Sequence, residues 1–493
     1  MKNGIVMYEK IYRILKNKIE CGLLPSGSRL PSRTDLCREF GTSEKTVRHA
    51  VKLLSDYGLV ETGQRKRPTV TFDYSGALEE KRLLPLRKAD VTTAGDLLKT
   101  GIFLCYPIIQ YGMDLCGGND WHIPEAILGK MEPDRPIEFW RLSNRFWRFF
   151  IARTGNDFIL RAVDSLGLSE LDPLPGSLEV RTEYFTRLKE FLYTIKTGGK
   201  PTEVRFADLS FLYRFLPDGG EHSPVCKVAS DSPFRLGAKE LGRRISWAEE
   251  QYSRVYLDLL GLIAIGKYRP GDRLPSHAGL RQIYGVSVDT TIKAVQLLKQ
   301  WGVVTAVRGK GIFVAMGPEK LRHIPIDPAL VAYHVRRYLD SLELLSLTAE
   351  GVAAHAAAHD TAVENAGKLG SKLEDWWNNS YLYQLSPIVL LEFLTDYIEY
   401  SALRTVYKVI QKNYHIGRSI PKLLHHAKNR HNREIHRQCV EAAEALASNS
   451  PDIFAKKAAE MFRYTHQLII RECKRLGYWQ PAMRVYDGTL LWK

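Results

Sequence analysis

Seven cysteines in 493 residues form an odd number, and no two stand in a Cys-x-x-Cys arrangement, so neither a disulfide framework nor a zinc finger is supported. Reduced, mostly buried thiols are expected. No uninterrupted apolar run reaches the roughly 18 residues that a membrane span needs. The start Met1-Lys2-Asn3-Gly4 leads into a polar helix rather than a secretory leader, so a cytoplasmic protein without membrane contact is expected. Catalytic signatures are missing as well: there is no serine elbow, no Walker loop, no Gly-x-Gly-x-x-Gly after a strand and no His-Glu-x-x-His. The expectation is a protein that is not an enzyme and needs no cofactor.

Hydrophobic residues make up 45% of the chain and charged residues 25%, the balance of a soluble globular protein. The length exceeds what one core serves and suggests roughly three or four domains. An internal repeat organises them. A 63-residue pattern occurs twice without a gap, offset by 274 − 30 = 244 positions between Leu30 and Leu274. Its pairs include Tyr8/Tyr252, Gly27/Gly271, Arg29/Arg273, Ser43/Ser287, Thr46/Thr290, Ala50/Ala294, Gly58/Gly302 and Lys66/Lys310.

Positive charge is concentrated in this pattern. Residues 8–72 hold 13 Lys/Arg against 7 Asp/Glu, or +6, and residues 252–316 hold 9 against 3, again +6, out of a net +15. Such focusing suits a module that neutralises phosphates, although a basic bias is also common on solvated faces.

In the first copy Tyr8, Ile11, Tyr12, Leu15 and Ile19 follow helical spacing, and Gly22 stops that helix. Ser32 caps a second helix carrying Leu36 and Phe40, closed by Gly41. Ser43 caps a third, which turns Val47, Ala50, Val51 and Leu54 inward and ends at Gly58. Two short strands follow, joined by a loop containing Arg65, Lys66 and Arg67. Copy two repeats the plan, with Ser287 at the third helix and Arg308, Gly309 and Lys310 between its strands. Three helices and a basic hairpin make a winged helix, whose third helix would enter the major groove while its wing meets the adjacent backbone.

The series Gly27-Ser28-Arg29-Leu30-Pro31-Ser32, Gly41-Thr42-Ser43 and Thr46-Val47-Arg48, with Pro270-Gly271-Asp272-Arg273-Leu274-Pro275-Ser276 and Arg308-Gly309-Lys310-Gly311 in the other copy, resembles the GntR family of bacterial transcription regulators. The resemblance implies double-stranded DNA as partner. Departures from the family pattern fall on expected readers. The arginine that usually stands two places after Leu-Pro-Ser is Thr34 or Ala278, with Arg33 and His277 one position earlier; the arginine after Gly-x-Ser is Glu44 or Val288; the later one survives as Arg48 but becomes Ile292. The candidate DNA contacts are Arg33, Thr34, Ser43, Lys45, Thr46, Arg48, His49, Arg65, Lys66 and Arg67 in copy one. In copy two they are His277, Ser287, Asp289, Thr290, Thr291, Lys293, Arg308, Gly309 and Lys310. Leu30-Pro31 and Leu274-Pro275 read as structural, and solvation alone is the competing role for each exposed cation.

Between the repeats, an aromatic-rich helical stretch from Phe146-Trp147-Arg148 to Phe158-Ile159-Leu160 resembles the all-α FCD effector domain of one GntR branch. That resemblance implies an aspartate and histidines holding a metal that binds small carboxylates. Here Ser143 and Trp147 stand at two of the positions, so no metal is expected there. The tail from Glu434 to His466 resembles the last FCD helices. His436 stands at a family ligand position of that tail. His355 and His359 lie at i and i+4, with His431 and His436 close by as candidate ligands, but without a carboxylate partner a hydrogen-bonded or solvated histidine is the commoner case. The aminotransferase-like branch of the family is excluded by length and pattern.

The expected fold class is mainly α: two winged helix-turn-helix domains, each followed by an all-α helical-bundle domain. The expected boundaries are 1–75 and 90–217 for the first pair, 218–245 for a linker, and 246–317 and 327–480 for the second pair. The expected function is transcriptional regulation under a small-molecule effector bound in the helical domains. The alternative is DNA binding by copy one only, with copy two as a dimerisation or protein-interaction scaffold. Whether the chain forms a homodimer stays open.

Overall fold

The computed structural model describes residues 8–71 apart from 9, 10, 13, 17, 20–23, 25, 41, 64 and 65; residues 91–167; residues 177–198; and residues 237–485 apart from 246, 247, 265, 322, 323, 325, 327, 380, 381, 421, 422 and 424–427. The sequence readings at Gly22, Gly41, Arg65 and most of the 218–245 linker lie outside the described residues. The protein is mainly α, and among the described residues strands occur only in the two winged-helix modules. It divides into two compact units, one of residues 1–156, 167–235 and 487–493, the other of residues 157–166 and 236–486.

In the first unit the helix Glu44–Asp56 forms because its four buried residues, Val47, Ala50, Val51 and Leu54, recur on one stripe. Ser43 caps it, accepting the Thr46 amide, and Gly58 at φ +68° turns the chain out of it, a conformation that costs a side chain dearly. The strands Val60–Glu61 and Thr69–Val70 pair antiparallel, and Arg29 bridges to Thr69, so the turn before the second helix joins the wing. Its other described residues are mostly helical, with long helices Val91–Asp114 and Pro136–Arg153. These two approach so closely that a Cβ at Gly112 would lie 1.9 Å from the Phe150 carbonyl oxygen. Phe139, Phe146, Phe149 and Phe150 fill the core beside them, so the aromatics noted in the sequence serve packing here.

The second unit repeats the module through the helices Ala248–Ala264, His277–Tyr284 and Val288–Gln300. Its wing is larger. Arg273–Leu274, Gly311–Val314 and Val304–Val307 form a three-stranded antiparallel sheet in that spatial order, with Leu274 opposite Ile312 and Val304 opposite Val314. Beyond it the 30-residue helix Pro328–Ala357 packs against Pro451–Arg475, which also packs on Arg430–Ala447. Val335, Leu339, Leu342, Leu345 and Val352 of the long helix are all buried.

This unit also contains Asp157–Leu166, a helix from the first half of the chain. It packs on Ala238–Ile245 and on Pro328–Ala357, buries Phe158, Ile159 and Leu166, and donates from Arg161 to the Ile245 carbonyl at 2.5 Å. Among the described residues no helix is long and apolar enough to cross a membrane.

Candidate nucleic-acid interface

A helix rotates about 100° per residue, so the buried stripe of the first recognition helix leaves Lys45, Arg48, His49 and Lys52 on the outer side, and all four are exposed. The equivalent positions of the second helix are Asp289, Ile292, Lys293 and Gln296. Three of them are exposed, and Ile292 is half-buried. Each helix N-terminus is built alike. Ser43 and Ser287 accept the amides of Thr46 and Thr290, at 3.4 and 3.2 Å, and share a hydroxyl bond with the same threonines at 2.9 and 2.8 Å. This satisfies amides that a helix start leaves open and positions the positive end of the helix dipole outward.

The side chains around those N-termini differ. In copy one Glu44 accepts from Arg48 at 3.2 Å and from Arg33 at 3.4 Å. The hydrogen bond and charge of Arg48, followed by those of Arg33, hold the Glu44 carboxyl below the usual range. Two of the expected readers therefore converge on one exposed acid. Thr34 is exposed beside them, Lys66 and Arg67 are exposed on the wing, and His49 stacks on Tyr8 of the first helix, 3.9 Å between ring centres. Arg65 lies outside the described residues.

In copy two, Lys293 and Asp289 face outward and Arg308, Gly309 and Lys310 form the exposed wing tip, where Gly309 takes φ +74°. Thr291 corrects the expectation. It is 0% exposed, donates to the Val288 carbonyl at 2.7 Å and lies 3.0 Å from the half-buried His277 ring, so it cannot reach DNA. The repeat carries the signal for this: 244 places earlier stands Val47, a core residue. Thr291 and His277 form an internal polar pair linking the second and third helices.

Residues beyond the sequence reading also belong to the surface. Arg29 and Arg273 occupy the same position in both copies and are exposed on the strand beside the wing. A Cβ on Gly311, at φ +124°, would lie 2.8 Å from Arg273 Nε, so the glycine leaves room for that guanidinium. Lys52 falls two turns beyond the capped helix start, outside the family motif; the 3.6-residue period assigns it to the Lys45 face.

The helical segments hold hydrogen-bonded side chains at the positions compared with FCD ligands. Ser143 and Trp147 both reach the buried Tyr184 hydroxyl, at 2.7 and 2.9 Å, and burial pushes that phenol up to about 12. His431 bonds Tyr464 at 3.0 Å, while His436 stacks on Trp377 and contacts Ser386 at 3.2 Å. The two histidines are engaged separately rather than brought together. His355 and His359, by contrast, share a cluster with Glu399.

The model of the family described as bacterial regulatory proteins, gntR family, matches residues 7–70 and again 251–314, the two winged helices. The chain thus carries the DNA-binding module of the gntR family twice, in tandem. No curated protein matches the chain. Solved structures similar to it include a GntR protein of Streptococcus agalactiae (19% identity, 45% of this chain and 99% of that one, TM-score 0.22) and McbR/YncC of E. coli (16%, 45% and 98%, TM-score 0.24). Lar of Listeria monocytogenes is similar at 16% identity, over 45% of this chain and 96% of its own, with TM-score 0.22.

Proposed function

We propose that both winged helices contact DNA and that one chain does the work usually divided between two subunits, on a site with unlike halves. The supporting observation is the pair of recognition helices: identical caps, closely matching buried stripes, and different outward faces, Lys45, Arg48 and Lys52 against Asp289, Lys293 and Gln296. Shared scaffold with divergent contact residues fits two modules reading different sequences, the first supplying most specificity. The wings and the paired Arg29 and Arg273 supply backbone contacts, which position the protein without reading sequence.

Effector control through the helical region is part of this reading. In the second unit the first helix of the winged module meets the long helix through buried polar contacts, Tyr256 with His334 at 2.6 Å and Arg337 with Ser253 at 3.1 Å. A ligand that favours one placement of Pro328–Ala357 over another would bias the winged helix by the same free energy.

A second reading has a specific observation behind it. Copy two exposes Ile283, Val288 and Val307 around its reading head, as a protein-binding module would. Selection of bound DNA from a random pool by the full chain, repeated with Lys45→Ala/Arg48→Ala and with Lys293→Ala/Lys310→Ala, separates the two. Loss of one half-site in each variant supports tandem reading. An unchanged site with the second variant, together with altered oligomerisation, supports the scaffold. A perfect palindrome read by one copy from each of two chains would refute the unlike-halves proposal.

A further inference from the structure

Outside the winged-helix elements, the second unit brings together two histidines and a carboxylate that the DNA-binding function does not use. His355 lies in the last turn of Pro328–Ala357, and His359 opens the next helix as its N-cap residue. Glu399 comes from the 397–400 segment, distant in sequence, so no local spacing could have revealed it. One donor atom from each residue lies within 4.8 Å of the others, and His359 Nδ1 stands 3.7 Å from Glu399 Oε1. Zinc bonds of about 2.0–2.2 Å put tetrahedral donors about 3.4 Å apart, so small side-chain rotations close the set around one ion.

The surroundings hold these groups in place. Tyr400 stacks on His355, with ring centres 5.1 Å apart, and the Glu399 amide donates to His355 Nε2 at 3.3 Å. Tyr397 donates to the Thr361 carbonyl at 3.1 Å and accepts from Asn365 at 2.9 Å, while Arg404 donates to the Ile398 carbonyl at 2.8 Å. The segment is thus tied down on both sides of Glu399, whose side chain remains exposed and able to turn.

We propose that His355, His359 and Glu399 bind a divalent ion of the zinc class, clipping the 397–400 segment to the end of the long helix. Two imidazoles and one carboxylate suit zinc or its neighbours better than magnesium or calcium, which favour all-oxygen sets. Coordination through His355 Nε2 displaces the 3.3 Å amide contact, a weak bond by its length.

The test uses the full chain stripped with chelator. Zn2+ is titrated against a chromophoric competitor, and Co2+ is followed by its absorption spectrum. The proposal expects one ion per chain, a Co2+ spectrum without thiolate charge transfer, and affinity reduced at least about tenfold by Glu399→Gln and by His359→Ala. His436→Ala leaves it unchanged. Equal affinity in the wild type, Glu399→Gln and His359→Ala overturns the proposal, as does a thiolate spectrum or loss of the ion only in His436→Ala. Glu399→Gln alters an exposed side chain, so it keeps the test decisive if His359→Ala fails to fold.

Discussion

The two winged helices share a scaffold and part company in two places: at the surface proposed to meet DNA and at the first helix. In copy one, cations predominate on the outer face, and an acid at the helix start ties up two of them. In copy two the helix start carries Asp289 in place of Lys45, and cations are most prominent on the wing and at Lys293. At the first helix, Tyr12 of copy one is half-buried and tilted against Tyr57, whereas the equivalent Tyr256 is fully buried and bonded to His334. Copy two also ties its first and second helices together through Arg254 and the Tyr284 carbonyl, and through Tyr284 and Asp258 at 2.7 Å; two of the equivalent positions in copy one are Phe40 and Ile14. The copies have therefore diverged in how they are held as well as in what they can touch.

The largest effect on this contrast is expected from Lys45→Ala with Arg48→Ala, about 100-fold weaker binding to the selected site, since a base-edge contact is worth about 1–3 kcal/mol. Lys293→Ala with Lys310→Ala should weaken binding about tenfold and make the plot of log affinity against log salt shallower by about 2, because two phosphates then keep their counterions. Equal losses from the two variants in a gel-shift series would erase the proposed ranking.

Acid should act on the second unit through His334 and His466. Burial, helped by Arg337, holds His334 down at about 3, and burial holds His466 at about 4. Their folded values lie below the unfolded histidine value of about 6.5. The unfolded chain therefore binds more protons as pH falls, and stability present above pH 6.5 is lost on the way down to about 4. Melting followed at pH 7.5 and 5.0 should show the decrease, with His334→Gln reducing it. A melting temperature independent of pH across that interval would contradict the burial of both rings.

Smaller effects concern single contacts. Glu44→Gln should tighten DNA binding about two- to fivefold at low salt by releasing Arg48 and Arg33 from an exposed ion pair. Weaker binding would show that the acid positions those arginines rather than competing for them. Thr291→Val should leave DNA affinity unchanged, because it restores the Val47 chemistry at a position that DNA does not reach; a loss beyond about threefold would return Thr291 to the interface.

Much of the winged helix is legible in the sequence because periodicity and caps are local. The buried set Val47, Ala50, Val51 and Leu54, the Ser43 and Ser287 caps and the turn at Gly58 follow from spacing alone. Thr291 misleads because a threonine looks polar wherever it stands, and only comparison with Val47 reveals its side of the helix. Glu44 reads as an absent arginine, but its pairing with Arg33 depends on the angle between two helices. The Glu399 partner of His355 and His359 lies 40 residues from His359 (399 − 359), a separation that no pattern in the sequence bridges.

The helix Asp157–Leu166 has a consequence for how this protein can be divided. A gene cut near residue 236 would look natural from the repeat, yet the product beginning there lacks a length of chain that fills its interior beside Ala238–Ile245 and Pro328–Ala357. Two halves made separately would have to find each other to complete one of them. The duplication is thus stitched rather than strung, and the piece that does the stitching is ten residues long.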